Sequence, residues 1–198
     1  MRKKELISAL LALIVFIAGA FVQMIAQDAK LLVLDKENFR VYYNPALGLP
    51  EVVLWRLTSH DLGKTKRSPS FRFKTDKDTP KPRVTSGLYT NSGYQRGHMC
   101  PAADRSAAIS SMKSTFIMSN VCPMAPALNT GPWKMAENYG RQLVMMVDTI
   151  MITASTIFFP QDTTWIGNGR VAVPHAFMRV ITIPGRYDFC KIFIFENK

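Results

Sequence analysis

Cysteine, histidine and acidic side chains are scarce in this sequence. Its 198 residues include three cysteines, three histidines and 14 Asp and Glu, against 25 Lys and Arg. Three cysteines allow at most one intramolecular disulfide, which excludes a fold held together mainly by disulfides. The pairing of Cys100, Cys122 and Cys190 stays open, and a Cys100–Cys122 bridge is one option. Internal repeats and low-complexity tracts are also absent, which excludes a repeat array.

The shortage of acidic residues leaves a formal net charge of +11 and an isoelectric point near 9.8. A surplus of this size predicts a polyanionic partner, either nucleic acid or an anionic membrane surface. The plain alternative is a basic surface that keeps the protein soluble. Hydrophobic residues make up 47% of the chain, so most of it should fold around a core. The length suits one domain and is short for two.

Charge is missing from one long segment near the N-terminus. Positions 2–4 are Arg-Lys-Lys, and the run from Leu6 to Phe21 contains no charged residue. This pattern predicts that residues 1–20 are a signal peptide, with Ala18 and Ala20 before the cleavage site. The run is close to the ~20 residues that a membrane span needs, so an uncleaved membrane anchor is the alternative. Either way the protein is predicted to be exported: periplasmic, secreted, or held at the membrane by this segment.

Residues 21–198 are predicted to form one domain of the α+β class, with a mainly antiparallel sheet and one well-marked helix. Residues 21–38 are interpreted as a short lead-in. The stretch "EVVLWRLT" is typical of a buried strand because β-branched and aromatic residues dominate it. The segment 64–83 is basic, and its three prolines exclude a helix, so we expect an extended surface segment.

Two further segments matter for function. The stretch "STFIMSNVCP" predicts a short strand that ends at Asn120 and is stopped by Pro123. The stretch "APALNTGPWKMAENYGRQLVMMV" predicts a helix that is capped by Thr130 or Gly131 and has Pro132 in its first turn.

The residues that carry chemistry begin at "QRGHMCPAADR". In a strand, Arg96 and His98 point to the same face, which places a cation and a titratable base in one space. Asn129 follows His98 by about thirty residues, and Glu137 follows Asn129 by eight. With "SNVCP" and "LNTGPWKMAEN", in that order, this stretch resembles the DNA/RNA non-specific endonucleases of the ββα-metal, or His-Me finger, type. The resemblance implies a ββα-metal core and hydrolysis of the DNA and RNA backbone to 5′-phosphate ends.

By this resemblance His98 is the general base that deprotonates the attacking water, a role that suits an imidazole because its ordinary pKa is near neutrality. Asn129 is the direct protein ligand of a divalent cation, Mg²⁺ with Mn²⁺ as the alternative, and Glu137 orients metal-bound water. Plainer interpretations exist for each residue. They are a hydrogen-bonded histidine, a turn asparagine, and an i,i+4 ion pair between Glu137 and Arg141.

Arginines complete the predicted site. Arg96 and Arg67 match positions that contact phosphate in the family, and the planar guanidinium suits this because it grips phosphate through two hydrogen bonds. Lys66 and Arg72 compete with Arg67 for that position. The catalytic set is therefore predicted to be His98, Arg96, Glu137 and Arg67, with Arg67, Arg96 and Arg141 binding substrate.

Two departures from the family pattern open alternatives. Gln95 stands where the family usually has Asp, and many relatives continue beyond "FCKIFIFENK" through another strand and helix. A C-terminally shortened domain is expected to expose a sheet edge, which favours aggregation or a homodimer. One alternative is therefore a catalytically impaired relative that binds nucleic acid at the cell envelope. A membrane-anchored structural protein with a basic surface is another, but it leaves the ordered motif unexplained.

Overall fold

The structure is a computed structural model that describes residues 31–159 and 162–198. The predicted signal peptide or anchor at residues 1–20 lies outside the described residues. The strands, in chain order, are β1 (Leu32–Lys36), β2 (Phe39–Asn44), β3 (Leu49–Thr58), β4 (Gln95–His98), β5 (Val121–Met124), β6 (Thr149–Ile157), β7 (Thr164–Ile166), β8 (Val171–Val173), β9 (Ala176–Ile183) and β10 (Arg186–Glu196). The α-helices are α1 (Ile109–Ser114), α2 (Pro126–Thr130) and α3 (Pro132–Val147).

A six-stranded antiparallel sheet forms the frame of the domain, in the order β1-β2-β3-β6-β9-β10. Strand β3 is the buried strand that the sequence predicted, with Val53, Trp55 and Leu57 in the core. Helix α3 contacts β3, β6 and β9 of this sheet, and it buries Trp133 and Val144. The predicted α+β class with a mainly antiparallel sheet is confirmed.

A two-stranded antiparallel ribbon of β4 and β5 precedes α2 and α3, which gives the predicted ββα order. The predicted end of the second strand was wrong, because β5 begins after Asn120 and runs through Pro123. The buried Asn120 side chain donates to the carbonyls of Cys100 (2.9 Å) and Thr115 (3.0 Å), which holds Met118–Asn120 in a 3₁₀ turn. Pro123 is tolerated because each strand of a two-stranded ribbon has a free edge.

The single helix predicted after residue 124 is two helices. They meet at Gly131, which caps α3, and Pro132 occupies the first turn as predicted. Thr130 is not the cap, because its hydroxyl donates 2.8 Å to the Pro126 carbonyl of α2. A side chain at position 131 would place its Cβ 2.6 Å from the Ala127 carbonyl oxygen, so this close turn requires glycine.

The basic segment 64–83 has no helix and only an isolated bridge from Lys74 to Ile117, as an extended surface segment should. One residue anchors it: Asp76 is 2% exposed, accepts a hydrogen bond from Ser119 and lies 2.8 Å from Lys36 Nζ. Lys36 belongs to β1, so the interpretation of residues 21–38 as a lead-in was wrong for residues 32–36. The two-residue turn after β1 lets it pair with β2.

Strand β10 lies at one edge of the sheet, and among the described residues it pairs only with β9. Tyr187, Ile192 and Ile194 on this strand are exposed, so the expected exposed edge is present. All three cysteines carry free thiols, and the optional Cys100–Cys122 disulfide is not formed. In the described part of the chain, no helix is both long enough and apolar enough to cross a membrane.

Candidate active site

One cleft of 690 Å³ gathers every side chain that the sequence proposed for catalysis, metal binding or substrate binding. It lies between the β4–β5 ribbon, the start of the basic segment and the first turns of α3. Its predicted members are Arg67, Arg96, His98, Asn129, Glu137 and Arg141. Gly97 allows the ribbon to close, since a Cβ there would lie 2.7 Å from Cβ of Met124 on the neighbouring strand.

The His98 ring is held between two aromatic rings. Its centroid lies 4.9 Å from that of Phe73 and 4.8 Å from that of Phe116. Burial, together with the nearby charge of Arg67, lowers the pKa of His98 to about 3, so the ring is neutral at pH 7. Its Nε2 is buried and has no hydrogen-bond partner among the described residues. The Trp133 indole donates 3.2 Å to the His98 carbonyl, which ties this end of β4 to helix α3.

Two arginines line the cleft together with His98. Arg96 donates through Nε (3.2 Å) and Nη2 (2.6 Å) to the Ser86 carbonyl, and its guanidinium lies 5.7 Å from the Tyr89 centroid. These contacts fix its direction and leave donors on Nη1 for a ligand. Arg67 is exposed and lies over the Phe116 ring at 5.1 Å.

Of the two residues that competed with Arg67, neither lines this cleft. Lys66 is exposed elsewhere, and Arg72 lines only an adjoining recess. The placement therefore favours Arg67 as the member of the basic segment that meets a ligand beside His98.

Asn129 is oriented by Gln95, the residue that departs from the family pattern. Its Nδ2 donates 2.7 Å to Gln95 Oε1. This bond uses the amide nitrogen and leaves the amide oxygen for a ligand in the cleft. Gln95 thus supplies the acceptor that a carboxylate would supply, without the negative charge.

The donor set fits a divalent cation that keeps most of its water. No cluster of three or more His, Cys, Asp or Glu ligands occurs in the described ranges. The cleft does offer the Asn129 amide oxygen and the Glu137 carboxylate, which are oxygen ligands of the kind that Mg²⁺ accepts.

Glu137 does not form the i,i+4 ion pair with Arg141 that the plainer interpretation allowed. Its Oε1 lies 3.8 Å from Nη2 of Arg179, while Arg141 Nη1 donates 2.7 Å to Asp104. Burial raises the pKa of the Glu137 carboxyl to about 7, and the charge of Arg179 limits the rise. The i,i+4 pair is absent because both side chains turn inward to buried partners.

Arg179 is the residue of the site that sequence reasoning missed. It is 0% exposed, and its guanidinium lies 4.3 Å from the Trp133 centroid and 5.3 Å from the Trp55 centroid. Its Nε and Nη1 have no hydrogen-bond partner among the described residues. The signal was the strand pattern in "AFMRVITI", where alternation places Arg179 on the same face as Phe177 and Ile181.

Asp104 was missed as well, although "PAADR" lies beside the motif. It is 1% exposed and accepts hydrogen bonds from Trp55 Nε1 (3.1 Å) and from Arg141. Asp104 therefore neutralises part of the Arg141 charge at the wall of the cleft.

The sequence of this chain is similar to those of known nucleases. The sequence profile of the DNA/RNA non-specific endonuclease family matches residues 20–188. A nuclease from Nostoc sp. (strain PCC 7120 / SAG 25.82 / UTEX 2576) is 33% identical over 171 residues, which cover 84% of this chain and 59% of that protein. Nuclease C1 from Cunninghamella echinulata var. echinulata is 31% identical over 166 residues, covering 76% and 65%. Mitochondrial endonuclease G from Homo sapiens is 32% identical over 110 residues, covering 51% and 37%.

This chain thus matches between 37% and 65% of the length of these three relatives. In three dimensions it resembles a chain in the crystal structure of the EndoG/EndoGI complex, with a TM-score of 0.76 and 23% identity. That match covers 84% of this chain and 74% of the other. At this identity the likeness shows the fold, and the predicted ββα-metal nuclease architecture is confirmed.

Proposed function

The chain belongs to the DNA/RNA non-specific endonuclease family, and from this premise we propose that it is an exported, divalent-metal-dependent endonuclease that hydrolyses phosphodiester bonds in DNA and RNA to leave 5′-phosphate ends. The observation that carries the proposal is the single cleft that joins a neutral histidine, an oriented asparagine amide, a partly buried glutamate and three arginines. A protein that only binds nucleic acid needs the arginines but not the other three groups.

His98 accepts the proton of the attacking water in this proposal. Its depressed pKa keeps the ring neutral, and therefore able to accept a proton, throughout the neutral range. Because Nε2 is buried, the proposal assigns proton acceptance to the other ring nitrogen, Nδ1. A bound phosphate brings negative charge beside Arg67, which offsets that cation, the smaller of the two causes that lower the pKa of His98.

Arg67 and Arg96 bind the scissile phosphate and place its phosphorus near His98. Arg96 is preorganised by its bonds to the Ser86 carbonyl, so little side-chain freedom is lost when it binds. Arg141 contributes less, because Asp104 already neutralises part of its charge. Contacts of this kind read the backbone, so we expect low sequence preference and strong salt dependence.

Asn129, through its amide oxygen, and Glu137, through hydrogen bonds from water, are the residues that would hold Mg²⁺ or Mn²⁺. When bound, such a cation neutralises charge on the phosphate and favours departure of the 3′ oxygen. Gln95 keeps the Asn129 oxygen directed at the cleft, and Arg179 favours the ionised form of Glu137.

Export is proposed from the basic and apolar pattern of residues 1–20, which would act as a signal peptide or as a membrane anchor.

The experiment is digestion of supercoiled plasmid and of total RNA by the purified protein with Mg²⁺, with Mn²⁺ and with EDTA. His98→Ala is the test variant, and His60→Ala is the matched control because His60 is exposed and outside the cleft. We expect metal-dependent loss of both substrates with wild type and His60→Ala, and none with His98→Ala. A folded wild-type protein that shifts DNA in a gel but cuts neither substrate would support the catalytically impaired alternative.

A further inference from the structure

A second recess, of 700 Å³, adjoins the catalytic cleft. The two share the lining residues Arg67, Gln95, Arg96 and Asn129, so a ligand lying in the cleft has an open way into the recess. Its other lining residues include Phe71, Phe73, Tyr94 and Arg72. We call it the aromatic recess. Its volume is within the ~300–1,000 Å³ typical of sites for small organic groups.

Two rings of the aromatic recess are held in place but not fully covered. Phe71 packs edge-on against Phe116, with centroids 5.5 Å apart and planes at 78°, and Lys113 Nζ lies 5.3 Å from its centroid. Tyr94 packs against the hydrophobic core of the domain. Both rings are half-buried, so each is ordered and still offers surface to a ligand. Preorganised rings lose little conformational freedom when a flat group stacks on them.

Phe73 has a different role in the recess. It contacts both His98 and Phe116, at centroid distances of 4.9 Å and 5.1 Å, so packing around the base accounts for it. Phe71 packs on Phe116 and Tyr94 packs against the hydrophobic core, and both also line the open side of the recess.

The charges of the aromatic recess match a phosphate-linked ligand. Three arginines line it, Arg67, Arg72 and Arg96, and within the described residues no carboxylate does. Arg96 and His98 alternate along β4 and share one side of the ribbon, and Tyr94, just before the strand, lines the recess with Arg96. Aromatic faces beside arginines are the combination that binds bases of single strands.

We propose that the aromatic recess binds an unstacked nucleobase of the nucleotide next to the scissile phosphate, stacked on Phe71 and Tyr94. The inference rests on the proposed function and adds the nucleobase as a recognised part of the substrate. It predicts that unpaired or flipped bases are bound better than paired ones, with little preference for base identity because every base has a π face.

The test measures binding by the full chain carrying His98→Ala, so that the probe stays intact. The probes are two fluorescently labelled single-stranded oligonucleotides with the same number of phosphates. One carries all its bases, and the other has abasic tetrahydrofuran residues through its centre. Fluorescence anisotropy at one fixed salt concentration gives the dissociation constant of each probe.

Phe71→Ala and Tyr94→Ala are each expected to weaken binding of the base-containing probe by about 5- to 150-fold and to leave the abasic probe unchanged. Phe71→Leu keeps an apolar side chain in the fold without a π face, so it should lose the same selectivity even where Phe71→Ala unfolds. Tyr94→Phe keeps the ring and should bind like the parent. Arg72→Ala should weaken both probes equally. Tyr187→Ala removes an exposed tyrosine on β10, away from both sites, and should change neither.

The proposal is overturned if the ratio of the dissociation constants of the abasic and base-containing probes is the same in Phe71→Leu, in Tyr94→Ala and in the parent His98→Ala protein. Failure of the proposed function looks different. If the wild type digests plasmid and RNA but the ratio does not respond, only the aromatic recess is wrongly assigned. If the ratio responds while the wild type digests nothing, the base site stands and the hydrolytic function falls.

Discussion

Replacing Arg179 by methionine should destabilise the protein by an amount that depends on pH. The change removes the cation 3.8 Å from Glu137 and keeps an apolar side chain between the two tryptophan rings. The pKa of Glu137 is about 7 with Arg179 present and rises further without it. Glu137 is therefore protonated in both proteins at pH 5. At this pH the free energy of unfolding of the variant should be only slightly below that of the wild type.

The magnitude follows from proton linkage. Glu137 has a folded-state pKa above its unfolded-state value, so the folded protein binds more protons and stability falls as pH rises from about 4.5 to 7. In Arg179→Met that fall continues above pH 7, by about 1.4 kcal/mol per pH unit until the higher pKa is passed. Removing one partner of a buried pair costs ~3–5 kcal/mol, which sets the ceiling at alkaline pH.

The assay is chemical denaturation of wild type and Arg179→Met at pH 5, 7 and 8.5. Glu137→Gln and the double variant Glu137→Gln/Arg179→Met form the control cycle, in which the effect of Arg179→Met should no longer depend on pH. A destabilisation that is the same at all three pH values in the wild-type background would refute the assignment of Arg179 as the partner of Glu137.

Three further predictions use the same site. The pKa of His98 is depressed to about 3, so its contribution to stability is complete above pH 6.5 and is lost as pH falls toward 3. The wild type should therefore lose up to about 4–5 kcal/mol of unfolding free energy over this pH range, and His98→Ala should not show that loss in denaturation experiments. Gln95→Ala frees the Asn129 amide and should weaken Mg²⁺ or Mn²⁺ binding by about 10- to 100-fold in titration calorimetry. Gln142 is exposed and lies outside the cleft, so Gln142→Ala should bind the ion like wild type. Equal ion affinity in Gln95→Ala and Gln142→Ala would contradict the positioning role of Gln95. Arg67→Ala should reduce the slope of log affinity against log salt by about 1 for every nucleic acid tested, and an unchanged slope removes Arg67 from the phosphate contacts.

The ordered spacing in the sequence located most of the site, because the motif residues lie on a local unit. The strand that ends at His98, the strand that begins after Asn120 and the two helices with Asn129 and Glu137 follow in this order, with α1 between the two strands. The family resemblance predicted that His98, Asn129 and Glu137 share one site, and the structure places all three in one cleft.

The boundaries of these elements were harder to predict because tertiary contacts set them. The stretch ending at Asn120 has the composition of a strand, but the Asn120 side chain satisfies backbone groups of Cys100 and Thr115 and turns the chain instead. Nothing local in the sequence reveals where that amide finds its partners.

Arg179 could be predicted to lie in the core but not to serve the site. Alternation in β9 places it inward, and a buried cation needs a partner. The partner, Glu137, is on a helix far away in the chain, and only the packing of α3 on the sheet brings the two together.

Chemical rescue of His98→Gly tests the central claim most directly. Single-turnover cleavage of an end-labelled oligonucleotide would be followed with Mg²⁺ as imidazole is added, after circular dichroism has established that the variant is folded. If His98 accepts the proton of the attacking water in this cleft, the variant is inactive alone and its rate rises with the concentration of neutral imidazole, giving products with 5′-phosphate ends. Cleavage at the wild-type rate without imidazole, or a slow rate that imidazole does not change, would contradict the account.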